Sequence, residues 1–573
     1  MCEEVTLRIA GQAGQGLKTT GKVLCRTFKR AGLNVFANMD YMSRIRGGNN
    51  FFQIRVAEKP VLTLREKCDV IVAMDADSVG IHRKALSDNG ILLCDLEKNG
   101  LDEEKSCVDV PFFKKADEIG GSEKYTGAVM TGFLLGLIAP HGIDKAGEVM
   151  REILSDKGEE TVGNNLDAVK AGYELAKESG REGSFAPKPS ATGADVLMDG
   201  NRAIAIGAVS AGLRFYSAYP MTPATSIMTD LCEVARKFGI LVEQAEDEIA
   251  AVNMAIGASF AGTRAMTGTS GGGFALMQEG ISLAAMTETP LVVVDSQRPA
   301  PATGLPTRTE QGDLDMAIHS GHGEFAKAVF TPGTAEEAFY LTQKAFNLAD
   351  KYQIPVIILT DQHLADSERN FKRPDTAEIS IERGLLEREK SGDMEGYKRY
   401  AFTSSGISPR AVPSWIKEVV YADSDEHTEE GHITESARVR EDMVVKRLYK
   451  KMRGLSEEIV PPVCHATEGA DVILAGFGST YGVIREFCER YEGKKAGQVH
   501  FPQVWPFPAE KFKKIAEKAE EIIVVENNAL GQLARLIRRE TGIDVDGSIL
   551  KFDGRPFNVD LLISLIEGEN NGR

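Results

Sequence analysis

Three short stretches of this chain carry residue types that could do chemistry together. Tyr219-Pro220-Met221-Thr222-Pro223 offers a threonine hydroxyl between two prolines, which restrict the backbone that aims it. Glu246-Asp247-Glu248 offers three carboxyls, and Thr269-Ser270-Gly271-Gly272-Gly273 offers two hydroxyls on a glycine turn. Each stretch follows an apolar run, at residues 215–218, 240–242 and 265–266, and an Ala/Ile-rich stretch at 249–260 follows the second. The pattern reads as successive strand-to-helix turns, with their groups at the carboxyl ends of strands, where open parallel sheets bind ligands. Further on, Arg308 in Gly304-Leu305-Pro306-Thr307-Arg308-Thr309-Glu310-Gln311 is a cation able to clamp a carboxylate with two parallel hydrogen bonds. Each group also has a plainer reading. Any of the three carboxyls suits a helix N-terminus, Thr222 suits the cap of a segment starting at Pro223, and Arg308 suits an exposed surface.

The elements that must position these groups follow from periodicity. From Val5 to about Ala186, strands at residues 6–10, 34–37, 69–74 and 91–94 alternate with helical stretches such as 17–31, which implies a parallel sheet with helices on its faces. A polar Gly/Pro/Ser-rich stretch at 178–192 reads as a linker. A second α/β unit, residues 200–366, has expected core strands at 214–219, 291–295 and 356–360. Residues 367–467 are strongly charged, contain the acidic cluster Asp423-Ser424-Asp425-Glu426, and read as a long connection ending in a helix near 437–452. A third α/β unit, 468–573, has strands at 472–475 and 522–525. The expected division is therefore 1–186, a linker at 187–199, 200–366, 367–467 and 468–573.

Composition bounds the function. A chain of 573 residues exceeds one core, and 42% hydrophobic with 26% charged residues describes an ordinary globular protein. A net charge of −17 argues against nucleic acid as a partner. No apolar run reaches the roughly 18 residues of a membrane span, and 128–140 is a buried helix by length. The acidic start (Met1-Cys2-Glu3-Glu4) lacks the layout of a signal peptide, so the expected location is the cytoplasm. No two of the eight cysteines form a CxxC pair, so neither an iron–sulfur cluster nor a structural zinc is expected on this chain. His319-Ser320-Gly321-His322 lacks a third metal ligand nearby, and no metal site is assigned.

At the N-terminus, Gly11-Gln12-Ala13-Gly14-Gln15-Gly16-Leu17-Lys18-Thr19 lies between a strand and a helix, where backbone N–H groups attract an anion. Leu17 displaces the lysine from a Walker A position, and the glycines run GxxGxG rather than in the dinucleotide order. The alternative is a tight turn that lets helix and strand pack. The basic loop Ser43-Arg44-Ile45-Arg46-Gly47-Gly48-Asn49-Asn50 suits a phosphate, or is a surface loop with solvated arginines.

Taken together, the YPMTP, EDEIAA and TSGGG stretches resemble the alpha subunit of the 2-oxoacid:ferredoxin oxidoreductases, over nearly the whole chain; the two N-terminal loops resemble the family's gamma subunit, here fused ahead of alpha. The resemblance implies an α/β fold of three parallel-sheet domains: a gamma domain, a thiamine-pyrimidine-binding domain and a transketolase C-terminal-like domain, the last carrying Glu526-Asn527-Asn528-Ala529-Leu530-Gly531-Gln532-Leu533 and expected to help assembly. It implies thiamine diphosphate as cofactor, with Glu248 as the activating glutamate, placed at the family's distance before the small pair Gly257-Ala258. A carboxyl bonded to the aminopyrimidine ring promotes the imino tautomer that deprotonates the thiazolium carbon. By the same resemblance Tyr219, Pro220, Thr269, Ser270 and Gly271 bind the cofactor, and Thr222 and Arg308 bind the substrate carboxylate. Gly14, Gly16, Arg46 and Gly47 are assigned to coenzyme A. Gly272 departs from the family's TSGPG turn, where proline is usual. Thr287-Glu288-Thr289-Pro290 resembles a further family block whose carboxylate reads as structural.

The GDG turn that holds magnesium and the diphosphate is not found, nor are clustered cysteines. Both features are therefore expected on a beta subunit, which carries the diphosphate site, Mg2+ and a [4Fe–4S] cluster, with the active site at the interface and a dimer of alpha–beta heterodimers as the assembly. The expected reaction joins a 2-oxoacid, coenzyme A and oxidised ferredoxin into acyl-CoA, carbon dioxide and reduced ferredoxin. 2-Oxoglutarate ranks first; pyruvate and branched-chain acids stay open. Two rivals stand beside it, a nucleotide-dependent dehydrogenase built on the glycine turn and a non-catalytic assembly subunit.

Overall fold

The computed structural model describes residues 3–43, 47–101, 106–190, 196–375, 377, 379–387, 394 and 396–568. They form two compact units: Met1–Met198 with Asp366–Arg373 and Asn558–Arg573, and Asp199–Ala365 with Pro374–Phe557.

The first unit is built on an eight-stranded sheet in the order Val108–Asp109, Leu86–Cys94, Cys68–Ala73, Glu4–Ala13, Gly47–Ala57, Asn34–Asp40, Glu368–Phe371, Val196–Met198. The first four run parallel, as the alternation implies, and the others join antiparallel. The 11-residue strand Gly47–Ala57 escapes the sequence pattern because polar side chains occupy its buried positions. Gln53 accepts from Arg8 (2.8 Å), and Arg55 pairs with Glu4 (2.8 Å) while donating to the Thr63 carbonyl. The 128–140 expectation corresponds to the helix Thr126–Ile138, buried on nearly every side. It crosses the helix Glu159–Glu178 where Gly132 faces the Val169 carbonyl and Gly172 faces the Val129 carbonyl, too closely for a side chain at either glycine.

The second unit contains two sheets over one shared apolar core, which includes Val329 and Leu359 of one and Phe477, Val499 and Phe501 of the other. The larger sheet has the order Gln503–Trp505, Ala328–Phe330, Pro355–Asp361, Leu291–Gln297, Ala265–Thr269, Phe215–Ala218, Leu241–Gln244. All are parallel except Gln503–Trp505 at its edge. Leu291–Gln297 and Pro355–Asp361 are buried at every residue, as central parallel strands covered on both faces must be. The smaller sheet runs Val463–His465, Ala496–Phe501, Val472–Phe477, Glu521–Glu526, Gly547–Leu550.

The charged connection is anchored by buried ion pairs. Its helices Ala437–Val444 and Lys451–Glu457 are joined by a π-helical turn, Val445–Lys450. That wider winding puts Lys446 and Lys451, five residues apart, onto one carboxylate, Glu288. Burial pushes the Glu288 carboxyl up, but Lys446, Lys451 and Arg399 outweigh it and hold it well below the usual carboxylate range. Glu288 precedes the strand Leu291–Gln297, at the rim opposite the turns of interest, and is structural as its motif implied.

Candidate active site

The larger sheet changes direction between two neighbours. From Phe215–Ala218 the chain steps outward to Leu241–Gln244, then crosses back to Ala265–Thr269 on the other side. Such a switch point opens a crevice at the strands' carboxyl ends. Tyr219, Pro220 and Thr222 leave the first of these strands, and Ser270 and Gly271 leave the third. Tyr219 is exposed, and Pro220 and Thr222 are half-buried. The helix after them is Thr225–Phe238, and Ala224 stands at its cap position without a side-chain bond, so the capping alternative for Thr222 falls away. The Thr222 carbonyl instead accepts from Arg298 Nη1 at 2.7 Å.

The three carboxyls are sorted by the helix Glu248–Phe260. Asp247 is its cap, accepting from the Ala250 N–H at 2.7 Å, and Glu246 is exposed. Glu248, the first helical residue, is only 3% exposed, and its Oε1 is buried without a hydrogen-bond partner. A buried polar oxygen left unpaired is costly, and such atoms mark places where a ligand group is received. Gly273 makes room for it: a Cβ there would lie 2.6 Å from Glu248 Oε1 and closer still to Thr269 Oγ1. Thr269 Oγ1 also reaches Met221 Sδ at 3.8 Å, tying the third turn to the first. The Ser270 hydroxyl is buried and unpaired as well.

Arg298 was not singled out by sequence reasoning. It is the residue immediately after the buried strand Leu291–Gln297, and that position at the rim is the signal that marks it. Burial draws its guanidinium pKa down, and the Glu248 carboxylate pulls it back up. Arg308 lies further along the same loop, half-buried, its N–H donating to the Leu305 carbonyl at 3.1 Å and its Cβ packed toward Gly554. The crevice thus brings together Thr222, Glu248, Thr269 and Arg298.

In the first unit, Gly14 and Gly16 have φ of 97° and 78°, left-handed values that favour glycine, and they open the helix Leu17–Arg30. Gly47 (φ 74°) pairs with Ala13 across the sheet, which brings the second loop to the first. Arg46 lies outside the described residues. A cavity of about 620 Å³ opens beside the turn, lined by Gly14, Gly16, Thr19, Lys98, Phe113 and Lys124 among others. Among the described residues no group of three or more His, Cys, Asp or Glu side chains could hold a metal ion. His319 bonds to the Asp315 carbonyl and to Arg539.

Comparison with known proteins assigns this architecture. Residues 206–446 match the family described as pyruvate flavodoxin/ferredoxin oxidoreductase, thiamine diP-bdg; residues 6–175 match pyruvate ferredoxin/flavodoxin oxidoreductase, and 470–561 its pyruvate:ferredoxin oxidoreductase core domain II. A 2-oxoacid:ferredoxin oxidoreductase subunit alpha from Sulfolobus is 34% identical, over 96% of this chain and 94% of its own length. The chain belongs to the 2-oxoacid:ferredoxin oxidoreductases, as an alpha subunit. The 2-oxoglutarate oxidoreductase subunit KorA of Mycobacterium tuberculosis is 29% identical over 100% of this chain and 92% of its own. The solved 2-oxoglutarate:ferredoxin oxidoreductase of Magnetococcus marinus, with 2-oxoglutarate, coenzyme A and succinyl-CoA bound, superposes with a TM-score of 0.90 at 32% identity, covering 99% of this chain and 100% of that one. Membership makes the chain part of an oxidoreductase, and the thiamine-binding family match spans every residue of the crevice.

Proposed function

We propose that this chain supplies the pyrimidine-binding half of a thiamine-dependent 2-oxoacid:ferredoxin oxidoreductase that converts a 2-oxoacid, 2-oxoglutarate first, to acyl-CoA and carbon dioxide while reducing ferredoxin. The observation that carries the reading is the buried, unpaired Glu248 Oε1 at the switch-point crevice. The crevice fits the cofactor's aminopyrimidine: a carboxyl oxygen and the Ser270 hydroxyl wait for partners, and the absence of a side chain at Gly273 lets Glu248 and Thr269 sit there. Thiamine diphosphate, when bound, supplies the carbon nucleophile and the electron sink for decarboxylation. Glu248 holds the proton exchanged with the ring nitrogen, in a site where the charged Arg298 is partly desolvated. Tyr219, Pro220, Thr269, Ser270 and Gly271 form the cofactor's walls. The Thr222 hydroxyl and Arg308 orient the substrate carboxylate, with Arg298 fixing the Thr222 backbone.

The same reading assigns the diphosphate site, Mg2+ and a [4Fe–4S] cluster to a beta subunit, because this chain has neither a GDG turn nor clustered cysteines. Coenzyme A is placed in the first unit, its phosphates at Gly14, Gly16, Arg46 and Gly47. The assembly is a dimer of alpha–beta heterodimers in the cytoplasm. What supports 2-oxoglutarate is the likeness to the Magnetococcus marinus enzyme and to KorA.

The test is viologen reduction by the complex assembled anaerobically with its beta partner, over a panel of 2-oxoacids, with and without coenzyme A. Coenzyme-dependent reduction, fastest with 2-oxoglutarate, is expected, and Glu248→Gln lowers kcat on the order of 100-fold or more. Unchanged turnover in the Glu248→Gln complex would sink the catalytic assignment, and a preference for pyruvate would move the substrate.

A further inference from the structure

The turn Glu526-Asn527-Asn528 belongs to the smaller sheet of the second unit, yet the backbone of Asn527 and the side chain of Asn528 also hold a loop of the larger one. Asn528 shapes its own turn, accepting from the Gly531 N–H at 2.9 Å and donating to Glu526 at 2.8 Å, and its amide also donates to the Gln311 carbonyl at 3.2 Å. Gln311 is fully buried and is held on all sides. Its N–H donates to the Asn527 carbonyl (2.7 Å), its Oε1 accepts from the Asn527 N–H (3.0 Å), and its Nε2 donates to the Phe477 carbonyl (2.8 Å). Gln532 completes the clamp, donating to the Gly312 carbonyl at 2.7 Å and accepting from the Asp315 N–H at 2.8 Å.

Between these clamped residues stands Asp313. Its N–H donates to Gln297 Oε1 at 2.8 Å, and its carboxylate lies against Gly271, with Cγ 2.8 Å from where a Cβ on that glycine would stand. Asp313 Oδ2 is buried without a partner, and so are both oxygens of Asp295, the strand residue in register with Thr269. Two buried carboxyls near enough to interact, with no hydrogen-bonded cation, disfavour each other's ionisation. Burial and the Asp313 charge push the Asp295 carboxyl up, and burial raises Asp313 to about 6. The turn of residues 270–273 is therefore seated at both ends, on Asp313 at Gly271 and on Glu248 at Gly273.

We propose that Asp313 is a positioning residue of the active site: held in a loop that Gln311 locks to the Asn527 and Asn528 turn, and seated against Gly271, it sets the glycine turn against which Glu248 works. The smaller sheet is then part of the catalytic apparatus without touching the reacting atoms. This inference rests on the reading of the crevice as the thiamine site.

The experiment compares Asp313→Ala, Asp313→Asn and Gln311→Met with the parent and with Glu248→Gln, each in the assembled complex. It reads kcat and KM for the 2-oxoacid, thiamine diphosphate affinity, the near-ultraviolet circular dichroism of the bound cofactor, and melting temperature. Asp313→Ala is expected to lower kcat at least about tenfold, within the ~100-fold that a 1 Å misplacement costs. Its KM should stay within about threefold, and the cofactor's dichroism should weaken. Asp313→Asn, which keeps the shape of the side chain against Gly271, should restore kcat and dichroism. Gln311→Met, which cuts the clamp outside the pocket, should reproduce the alanine phenotype, and it carries the test if the alanine variant fails to assemble. Parent-like kcat, affinity and dichroism in the alanine and methionine variants, even with a lowered melting temperature, would overturn the positioning role. So would an asparagine variant as impaired as alanine. An inactive Glu248→Gln beside unaffected Asp313 and Gln311 variants overturns this inference alone; an active Glu248→Gln overturns the reading of the crevice and this inference with it.

Discussion

Glu248 and Gly273 act as one unit, because the carboxyl occupies space that any larger residue at 273 would fill. Gly273→Ala is therefore expected to lower kcat of the assembled complex at least about tenfold while costing about 1–3 kcal/mol of stability, the range for overpacking a buried site. Steady-state kinetics with a parallel melting curve checks both. Asp247 gives the converse case. Its cap on the Ala250 N–H carries helix stability and leaves Glu248 free of that duty, so Asp247→Ala should cost about 1 kcal/mol with a smaller effect on turnover than Glu248→Gln. In the first unit, His82 is buried beside Arg8 with its Nε2 on Asn49, and burial followed by the Arg8 charge lowers its pKa to about 4. The unfolded imidazole titrates near 6.5, so between pH 4 and 6.5 the unfolded chain binds the extra proton. Stability from this site is thus complete above about pH 6.5 and is lost as pH falls through 4. Urea midpoints for the parent and His82→Gln across that window should show the parent's slope reduced in the variant.

At the scale of elements, the helices Thr126–Ile138 and Glu159–Glu178 owe their close crossing to a pair of glycines, each against the other helix's backbone. Gly132→Ala is expected to push them apart and cost about 3 kcal/mol, measured by urea unfolding of the whole chain. The π-helical turn has a comparable role in the second unit, since ordinary winding would turn Lys446 and Lys451 to different faces. Removing the carboxylate they share leaves buried positive charge without its partner. Glu288→Ala should therefore cost roughly 3–5 kcal/mol, and that loss should be structural, with no change in the cofactor's dichroism in complexes that still assemble.

At the scale of the molecule, the crevice lies at the carboxyl ends of a parallel sheet's strands, and the segments that leave those ends expose apolar side chains, among them Tyr219 and Ile249. The chain alone offers carboxyl, hydroxyl and guanidinium groups but no GDG turn. Expressed by itself it is expected to reduce no viologen, and addition of the beta subunit with thiamine diphosphate and Mg2+ should restore reduction.

The strand-to-helix turns and the apolar central strands were legible in the sequence because local patterning dictates them: buried parallel strands are largely apolar, and turn residues must suit their backbone. Local patterning left Glu246, Asp247 and Glu248 equivalent, and only the family resemblance favoured Glu248. The strand Gly47–Ala57 was not, because Gln53 and Arg55 are buried with partners brought from distant segments, which no local period reveals. Arg298 likewise became visible only once Thr222 and Glu248, 76 and 50 residues away in the chain, stood beside it. Which carboxyl caps the helix and which is left unpaired, where the lysines of a charged connection go, and that a turn of the smaller sheet holds Asp313 against Gly271 were decided by tertiary structure alone. Each depends on what a side chain meets across the fold, and burial sets the free energy of such meetings only after the chain has closed.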